Sequence, residues 1–392
     1  MPRRNSLEII ECPHQYKGKC LRMNKSYTSQ NFKSDTILTD DIFTYIEFFF
    51  ASHKKAMKYK DSSNKSKYGN EIKYHYLFYW KQAASFYKTA KELPIESKPL
   101  LSYYSMLNAV KAFLAFKCEY IEDFVEDFAQ HGLFESKDLD GDNLSSIAVG
   151  RKKNGVFSLF GKTIDKNFES EWKNGKSEAV TLKKLLYNLA FIHRAFIITY
   201  KTPRAANIPE LFLPLVAGKS PCYHKANDSK LYLMFEIDKN FFSSNSTSIP
   251  QAYSTTMSDN FQITENSAFV IRSKIGAKRN TSDSLSTEFK ELNNLLRPSF
   301  QYIRSNKRLW YLKREKLSDD NIININSMLI TLGAMHRISE IVRYKPEQLA
   351  HLINSKENWL LHEFITLALD QFIDELATEI TGQDIMGTGM KI

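Results

Sequence analysis

The sequence predicts an α+β fold that is mainly helical, with a small antiparallel β region inserted between helical segments. Apolar residues recur at helical spacing before residue 130 and after residue 324, whereas short extended runs separated by turn residues occupy the middle of the chain. The order of these elements differs from the regular strand–helix alternation of a parallel sheet. With 392 residues, 43% of them hydrophobic and 13% aromatic, the chain can bury a large core. This composition excludes a disordered chain and a disulfide-stabilised miniprotein.

The first 70 residues predict a polar extension that contains one aromatic amphipathic helix. This helix is predicted over residues 42–57, because Asp40 and Asp41 are favourable at a helix amino terminus. Its apolar side chains share one face and are Phe43, Ile46, Phe49 and Phe50. In one interpretation this face packs on a second copy of the chain or on another protein.

Residues 71–203 predict a helical hairpin, a β-hairpin and a further helix. Pro94 ends the first hairpin helix, and Pro99 lies near the first turn of the second, where its missing N–H costs little. Asn154 and Gly155 are typical of the centre of a β-hairpin turn. The predicted elements are helices at 76–90, 99–114 and 121–130, strands at 145–149 and 156–160, and a helix at 181–200.

The remaining sequence predicts a β-rich segment over residues 204–320, followed by helices over residues 321–385 and a frayed tail over residues 386–392. The β-rich segment contains a long Ser- and Thr-rich loop at residues 243–260. Breaks between the last helices are expected near Pro346 and Ser355. The predicted strands lie at residues 211–216, 231–237, 261–264, 268–272 and 308–312.

The charge of the chain favours polyanionic partners, since its formal net charge is +10 at pH 7. The strongest basic feature alternates cations with aromatic rings, which are the ingredients of nucleic-acid binding. A second basic segment extends this feature if the two segments pair as strands. The alternative is an edge strand whose cations only prevent aggregation. The nucleic-acid-binding candidates are Arg304, Lys307, Arg308, Trp310, Tyr311, Lys313 and Arg314, with Arg272 and Lys274 in the second segment.

Two runs in the helical hairpin, WKQAASFYKTA at residues 80–90 and KPLLSYYSMLNAVKA at residues 98–112, are similar to the YaaC-like family of bacterial proteins. Further matches are HGL at 131–133, GVF at 155–157, TLKKLL at 181–186 and SEIVRYKP at 339–346. The resemblance spans roughly residues 72–380, is faint between residues 205 and 320, and leaves the first 70 residues as an extension. That family has no settled biochemical activity, so the resemblance implies an architecture and not a mechanism.

The run YYSMLNAVKA at residues 103–112 also resembles the central helix of HEPN domains, which are small helical bundles found in RNA-cutting toxins and defence proteins. This resemblance implies a HEPN-like helical hairpin or bundle and a link to antiphage defence. HEPN ribonucleases use an Arg followed by four to six residues and a His. None of the nine His residues follows an Arg at this spacing, and the nearest pair, Arg343 and His351, is eight positions apart. A HEPN-like bundle here would therefore lack its usual catalytic motif.

A polar strip follows the second hairpin helix, where Tyr104, Asn108 and Lys111 recur at positions i, i+4 and i+7. Such a strip could bind an anion, and Arg343 and Tyr344, at the end of a helix predicted over residues 330–344, could complete the site. In the alternative interpretation Tyr104 and Lys111 extend to solvent, Asn108 bonds a neighbouring helix and Arg343 interacts only with its helix terminus.

For an enzyme, the catalytic candidates are His131, His336 and Arg343. The sequence has no P-loop, dinucleotide fingerprint or nucleophile elbow, which argues against standard nucleotide hydrolysis and α/β-hydrolase chemistry. Two Cys-x-His pairs, one ending at His14 and one at His224, are tighter than usual zinc spacings. We therefore expect no bound metal and no cofactor.

No apolar run approaches the roughly 18 residues needed to cross a bilayer, so we expect a cytoplasmic protein without a membrane partner. The first hypothesis is a YaaC-like protein, non-catalytic or weakly catalytic, that binds nucleic acid or a nucleic-acid-handling partner in a bacterial defence or stress module. The second is a metal-dependent or HEPN-type nuclease acting on RNA or DNA with a non-standard site. The third is a structural subunit that forms an oligomer with itself or with a protein partner.

Overall fold

A computed structural model of the chain describes residues 21–22, 36–52, 75–117, 128–201, 208–243, 245–265, 267–278, 286–305 and 308–387. These residues confirm the predicted α+β fold, which is mainly helical with small, largely antiparallel sheets. Among them the helices are α1 (Ile42–Ser52), α2 (His75–Glu92), α3 (Lys98–Lys117), α4 (Val156–Ile164), α5 (Phe168–Glu171), α6 (Leu182–Tyr187), α7 (His193–Tyr200), α8 (Gln251–Ser254), α9 (Thr287–Leu296), α10 (Ser327–Tyr344), α11 (Pro346–Ile353) and α12 (Asn358–Thr381).

The strands of the same residues are short and fall into four sheets. They are β1 (Leu21–Arg22), β2 (Thr36–Leu38), β3 (Leu133–Asp140), β4 (Ile147–Arg151), β5 (Val180–Thr181), β6 (Phe212–Pro214), β7 (Cys222–Lys225), β8 (Lys230–Glu236), β9 (Phe261–Thr264), β10 (Ser267–Ser273), β11 (Ala277–Lys278), β12 (Phe300–Ile303), β13 (Leu309–Lys313) and β14 (Asp384–Met386).

The chain forms two compact units, each built from segments that are distant in sequence. The helical unit contains Thr39–Ile208 and Ile325–Thr381. The β-rich unit contains Met1–Leu38, Pro209–Asn324 and Gly382–Ile392. The two predicted helical segments therefore belong to one unit, and the β-rich segment is inserted between them.

The helical unit is organised around the hairpin of α2 and α3, as predicted from the proline positions. Helix α3 also packs against α10 and α12, and all three helices are buried along most of their length. The helical breaks expected near Pro346 and Ser355 are confirmed, because α11 begins at Pro346 and α12 follows at Asn358. This arrangement gives the unit a continuous apolar core that includes Trp80, Val110, Leu329 and Leu369.

Helix α1 buries its aromatic face inside the helical unit. Phe43 and Phe50 are buried, and the Phe43 ring lies 5.0 Å from the Trp80 ring between centroids. The Trp80 indole N–H donates a hydrogen bond to the Phe43 carbonyl oxygen at 3.0 Å. The apolar face that could have paired with another chain is therefore already covered, and among the large apolar side chains of α1 only Phe48 is exposed.

The predicted β-hairpin around Gly155 is wrong, because the second predicted strand is the helix α4. Strand β4 pairs instead with β3 and β5 in a three-stranded sheet. The apolar run after Gly155 fits a helix equally well, since Val156, Phe157, Phe160 and Gly161 fall on one buried face. Short apolar runs do not distinguish a strand from a helix by periodicity alone.

Three further predictions need correction. The helix predicted over residues 181–200 is divided into β5, α6 and α7. The tail predicted to fray from residue 386 includes Met386, which pairs with Leu38 in the parallel β14–β2 ladder. The long loop predicted over residues 243–260 contains the short helix α8. Residues 121–127 of the helix predicted at residues 121–130, and most of the amino-terminal extension, lie outside the described residues.

The β-rich unit has its own core between small sheets. One path of strands runs in the order β1-β7-β8-β10-β9, with β11 also paired to β8, and a second sheet has the order β12-β13-β6. The sequence did not predict β7, β12 or α9. The core of this unit is made by buried apolar side chains that include Leu233, Phe235, Ile271, Phe289 and Leu312.

A close approach of two glycines fixes the loop before β3. Gly132 and Gly155 have φ values of 84° and 111°, a region that L side chains rarely adopt. A Cβ atom on Gly155 would lie 2.5 Å from the Gly132 Cα. Backbone hydrogen bonds close the contact, since the Phe157 N–H donates to the His131 carbonyl at 3.0 Å. The glycines thereby attach the segment that carries His131 to the start of α4.

We predict that Gly155→Ala lowers the free energy of unfolding by about 3 kcal/mol, because the added methyl group overlaps backbone as well as requiring positive φ. The control is Gly175→Ala, where φ is 132° but the nearest atom, the Glu178 Cγ, is 4.0 Å from the added Cβ. That control is expected to cost about 1 kcal/mol. Urea denaturation followed by circular dichroism measures both, and equal losses would contradict the steric argument.

Candidate functional site

Three distant segments of the helical unit bring ionisable and aromatic side chains together. Helix α3 supplies three of them, the segment before β3 supplies His131, and α10 supplies three more. We call this group the His131–Arg343 site. Its residues are Tyr103, Tyr104, Lys111, His131, His336, Glu340 and Arg343.

Helical spacing explains how α10 contributes to this site. His336, Glu340 and Arg343 recur at i, i+4 and i+7, so they share one face of the helix. The buried side chains around them, including Met335 and Ile338, place this helix in the core. His336 is only 2% exposed, whereas Arg343, in the last turn, is half-buried. The site therefore extends from the core toward the carboxyl end of α10.

The aromatic rings of the site are packed closely. The His336 ring lies 4.9 Å from the Tyr103 ring and 6.0 Å from the His131 ring between centroids. The Tyr103 and His131 rings are 5.5 Å apart, so these three rings form a compact group. Tyr103 and His336 are buried and His131 is half-buried, which makes His131 the imidazole nearer to solvent.

Arg343 joins α10 to α3 on the more open side of the site. Its Nη1 donates a hydrogen bond to the Tyr104 hydroxyl at 3.3 Å. Its guanidinium lies 6.0 Å from the Tyr104 ring and 5.0 Å from the Tyr344 ring. Within the described ranges Arg343 forms no ion pair with a carboxylate. Arg343 thus lies beside two aromatic rings, and Glu340, one helical turn before it, interacts with it electrostatically without forming an ion pair.

Several buried polar atoms of the site have no hydrogen-bond partner in the described part of the chain. They are the Tyr103 hydroxyl, the His336 Nδ1, the Glu340 Oε2 and the Arg343 Nε. The His336 Nδ1 and Glu340 Oε2 lie 3.6 Å apart, beyond normal hydrogen-bond distance. Because buried polar groups are rarely left unbonded, this concentration indicates a place that water or a bound polar group completes.

The electrostatics of the site keep both imidazoles neutral. Burial lowers the pKa of His131, and the nearby Lys111, Arg343 and Lys152 lower it further. Burial also holds the pKa of His336 well below its usual value, with His131 and Arg343 among the additional causes. Neutral imidazoles can accept a proton or a hydrogen bond at neutral pH.

The remaining ionisable groups of the site are shifted toward their neutral forms or are paired. Burial raises the pKa of Glu340, which weakens its negative charge. Burial lowers the pKa of Lys111, whose ammonium lies 5.6 Å from the Tyr79 ring centroid. Arg337, next to His336, is neutralised by Glu135 at 3.0 Å. Arg343 is therefore the member of the site that carries a permanent positive charge.

The structure brings together five of the site residues proposed from the sequence. His131, His336 and Arg343 meet in one cluster, with Tyr104 and Lys111 beside them. Asn108 donates from its Nδ2 to the Tyr104 carbonyl of its own helix at 2.8 Å.

Sequence reasoning missed Tyr103 and Glu340 as members of the site. Tyr103 reads as part of an apolar stripe, and only its contact with His336 identifies it. The sequence does indicate that Glu340 lies beside His336, because the two residues are separated by one helical turn.

The expectation of one exposed basic surface in the β-rich unit is corrected. Trp310 is buried in the core, and Arg308 donates to the Asp384 carboxylate at 2.6 Å and to the Ile385 carbonyl at 2.6 Å. Arg314, 5% exposed, donates to the carbonyl oxygens of Glu210 and other residues. These cations neutralise buried acceptors and are not available to phosphates.

The strand pairing explains this burial. Strand β13 is the central strand of its sheet, so it is neither an exposed face nor an edge strand. It pairs with β12 and β6, whereas β10, which carries Arg272, pairs with β8 and β9. Lys313 is 1% exposed and donates to the Ile323 carbonyl.

The outer members of the basic segments differ in exposure. Arg272, Arg304 and Tyr311 are half-buried, and the guanidinium of Arg272 lies 4.8 Å from the Tyr232 ring centroid. Lys274 is exposed. Lys307 lies outside the described residues.

The described residues contain no group of three or more His, Cys, Asp or Glu side chains arranged to hold a metal ion. Cys222 and His224 lie on β7, where the Cys222 thiol donates to the Ser220 carbonyl at 3.2 Å. Cys12 and His14 lie outside the described residues.

Across the helices that the structure describes, none combines the length and apolar character needed to cross a membrane.

We predict that the free energy of unfolding falls in acid because His336 is buried in its neutral form. Its folded pKa lies below its unfolded value near 6.5, so the unfolded chain binds more protons as the pH falls through that range. The stabilising contribution is therefore complete above the unfolded pKa and is lost toward the folded pKa. His336→Gln is expected to show a smaller drop in urea midpoint between about pH 7.5 and about pH 5.5 than the wild type.

The control for this pH dependence is His362→Gln, because His362 is exposed on α12. It should retain the wild-type dependence. The explanation would fail if the His336 variant lost as much stability in acid as the control.

Comparison with known proteins identifies the family of the chain. The family model for the YaaC-like protein matches residues 32–380, beginning before the residue 72 inferred from the resemblance, so part of the supposed extension belongs to the family. The HEPN-like resemblance of α3 is not shown by these comparisons. No curated protein and no solved structure matches the chain. The chain therefore belongs to the YaaC-like protein family.

Proposed function

We propose that this protein binds nucleic acid by placing a backbone phosphate in the His131–Arg343 site. The observation that carries the proposal is the convergence of two neutral imidazoles on Arg343, a half-buried guanidinium that makes no ion pair among the described residues. Charge-assisted hydrogen bonds from Arg to phosphate are strong, and Lys111 and Lys152 add positive potential. The net charge of +10 acts in the same direction by attracting polyanions.

In this proposal the main binding surface is the His131–Arg343 site and not the basic segment around β13. Arg308, just before β13, is engaged with Asp384, and Lys313 of β13 with a main-chain carbonyl, whereas Arg343 bonds only a tyrosine hydroxyl among the described residues. Lys274 can add a non-specific contact because it is exposed. A cytoplasmic role in a bacterial defence or stress module, through nucleic acid or through a partner that handles it, is part of the proposal.

We predict that Arg343→Gln weakens binding to labelled single-stranded RNA by about tenfold, because one charge-assisted phosphate contact is lost. The dependence of log affinity on log salt concentration should also become shallower by about one unit. Arg194→Gln is the matched control, since Arg194 is exposed on α7 and the charge change is the same.

A titration of both variants at two salt concentrations, with single-stranded RNA and duplex DNA, measures these effects. Equal weakening by the two substitutions would contradict a phosphate site at Arg343. If neither polymer bound the wild type, the ligand would be a protein partner and the proposal would be wrong.

Cleavage of RNA is a second candidate function, favoured by the pair of imidazoles and by Lys111. In this reaction the 2′ oxygen of a ribose attacks the adjacent phosphorus and its proton passes to neutral His131. The bond from phosphorus to the 5′ oxygen breaks, and that oxygen takes a proton from the Lys111 ammonium. The products are a 2′,3′-cyclic phosphate and a 5′ hydroxyl end. Burial lowers the pKa of Lys111, which makes its ammonium a better acid.

We predict that any RNA cleavage by the protein persists in EDTA, stops when the ribose at the cleaved bond is replaced by 2′-deoxyribose, and falls at least about a hundredfold in His131→Ala. Denaturing gels of end-labelled RNA measure the products. Cleavage of DNA, or loss of RNA cleavage in EDTA, would instead favour a metal-dependent nuclease. The His362→Gln variant provides the control, because His362 is exposed and outside the site.

A further inference from the structure

Tyr344 is an exposed aromatic residue placed beside the charged part of the His131–Arg343 site. It ends α10 and is 69% exposed, the highest exposure among the large hydrophobic side chains that the structure describes. Its neighbour Arg343 is half-buried and points its guanidinium carbon to within 5.0 Å of the Tyr344 ring centroid. An exposed ring thus lies next to the cation that is proposed to bind a phosphate.

The helix boundary holds Tyr344 in this position. Pro346 starts α11 and cannot continue the hydrogen-bond pattern of α10, so α10 ends at Tyr344. Lys345 follows Tyr344 with φ −143° and ψ 56°, and its ammonium contacts the Glu135 carboxylate. This ion pair anchors the residue after Tyr344 to β3 and limits the movement of the ring.

Arg343 and the two nearby tyrosine rings are complementary to a nucleotide. The guanidinium suits a phosphate, and an aromatic ring suits a base. The guanidinium carbon lies 6.0 Å from the Tyr104 ring centroid and 5.0 Å from the Tyr344 ring centroid. Tyr104 is half-buried and its hydroxyl accepts a hydrogen bond from Arg343, so it is part of the protein structure. Tyr344 has an accessible aromatic surface. A phosphate on Arg343 would therefore place the attached nucleoside near an available stacking surface.

We infer that Tyr344 stacks on an unpaired base, and that the ligand of the His131–Arg343 site is a single-stranded nucleic acid. This inference rests on the proposed function. Bases in a duplex are stacked inside the helix and cannot reach a protruding side chain, whereas unpaired bases stack on aromatic rings. Stacking does not depend strongly on base identity, so the inferred ligand is single-stranded without a defined sequence.

The test compares two probes of equal length and charge, a labelled single-stranded RNA and an abasic oligomer with the same sugar–phosphate backbone. We expect Tyr344→Ala to weaken RNA binding by about tenfold and to leave binding of the abasic oligomer unchanged, because only the stacking contact is lost. Tyr344→Trp should restore RNA binding. Phe48→Ala is the matched control, since Phe48 is also an exposed aromatic residue, at 67% exposure.

The outcomes separate this inference from the proposed function. If Arg343→Gln weakens both probes but Tyr344→Ala weakens neither, or weakens both equally, phosphate binding stands and base stacking is wrong. If Arg343→Gln affects neither probe, the proposed phosphate site itself is wrong. Tighter binding of duplex than of single-stranded RNA by the wild type would also overturn the inference.

Discussion

The burial of α10 is the constraint on which the helical unit and its site depend. Nearly every side chain from Ser327 to Ile341 is buried, and the helix packs against α3, the second helix of the α2–α3 hairpin. A buried helix that carries His336, Arg337 and Glu340 has to balance their charges locally, because desolvation disfavours isolated ions. Glu135 neutralises Arg337 at 3.0 Å. Arg343, at the end of the helix, makes no ion pair among the described residues.

The same burial determines the chemistry of the site. Desolvation is the largest cause of the shifted pKa values of His131, His336, Lys111 and Glu340, and in each case it favours the neutral form. A group of residues that would carry mixed charges in water is therefore held as neutral imidazoles beside a guanidinium that cannot lose its proton. Such a site is suited to hold an anion, and the unbonded Tyr103 hydroxyl and His336 Nδ1 provide further polar contacts at its inner end.

Two arginines beside tyrosine rings, Arg308 and Arg343, have different surroundings in the two units. Arg308 is buried against Asp384 and stacks 4.3 Å from the Tyr302 ring centroid, so it stabilises the strand pairing at the end of the β-rich unit. Arg343 also lies beside tyrosines, but it is half-buried and forms no ion pair in the described ranges. Sequence patterns of cations and aromatic rings are alike in both cases. The two settings differ in the acceptors that surround each guanidinium.

The sequence by itself determined the hairpin of α2 and α3, the breaks around α11 and the mainly helical α+β class, because proline positions and long amphipathic repeats are local signals. The sequence also led to His131, His336 and Arg343 as catalytic candidates. The tertiary structure alone decided that these residues meet, since residues 131 and 336 come together only when α10 packs on α3. It also decided that Val156 starts a helix and that Lys313 is buried, because strand pairing and burial depend on partners far away in the sequence.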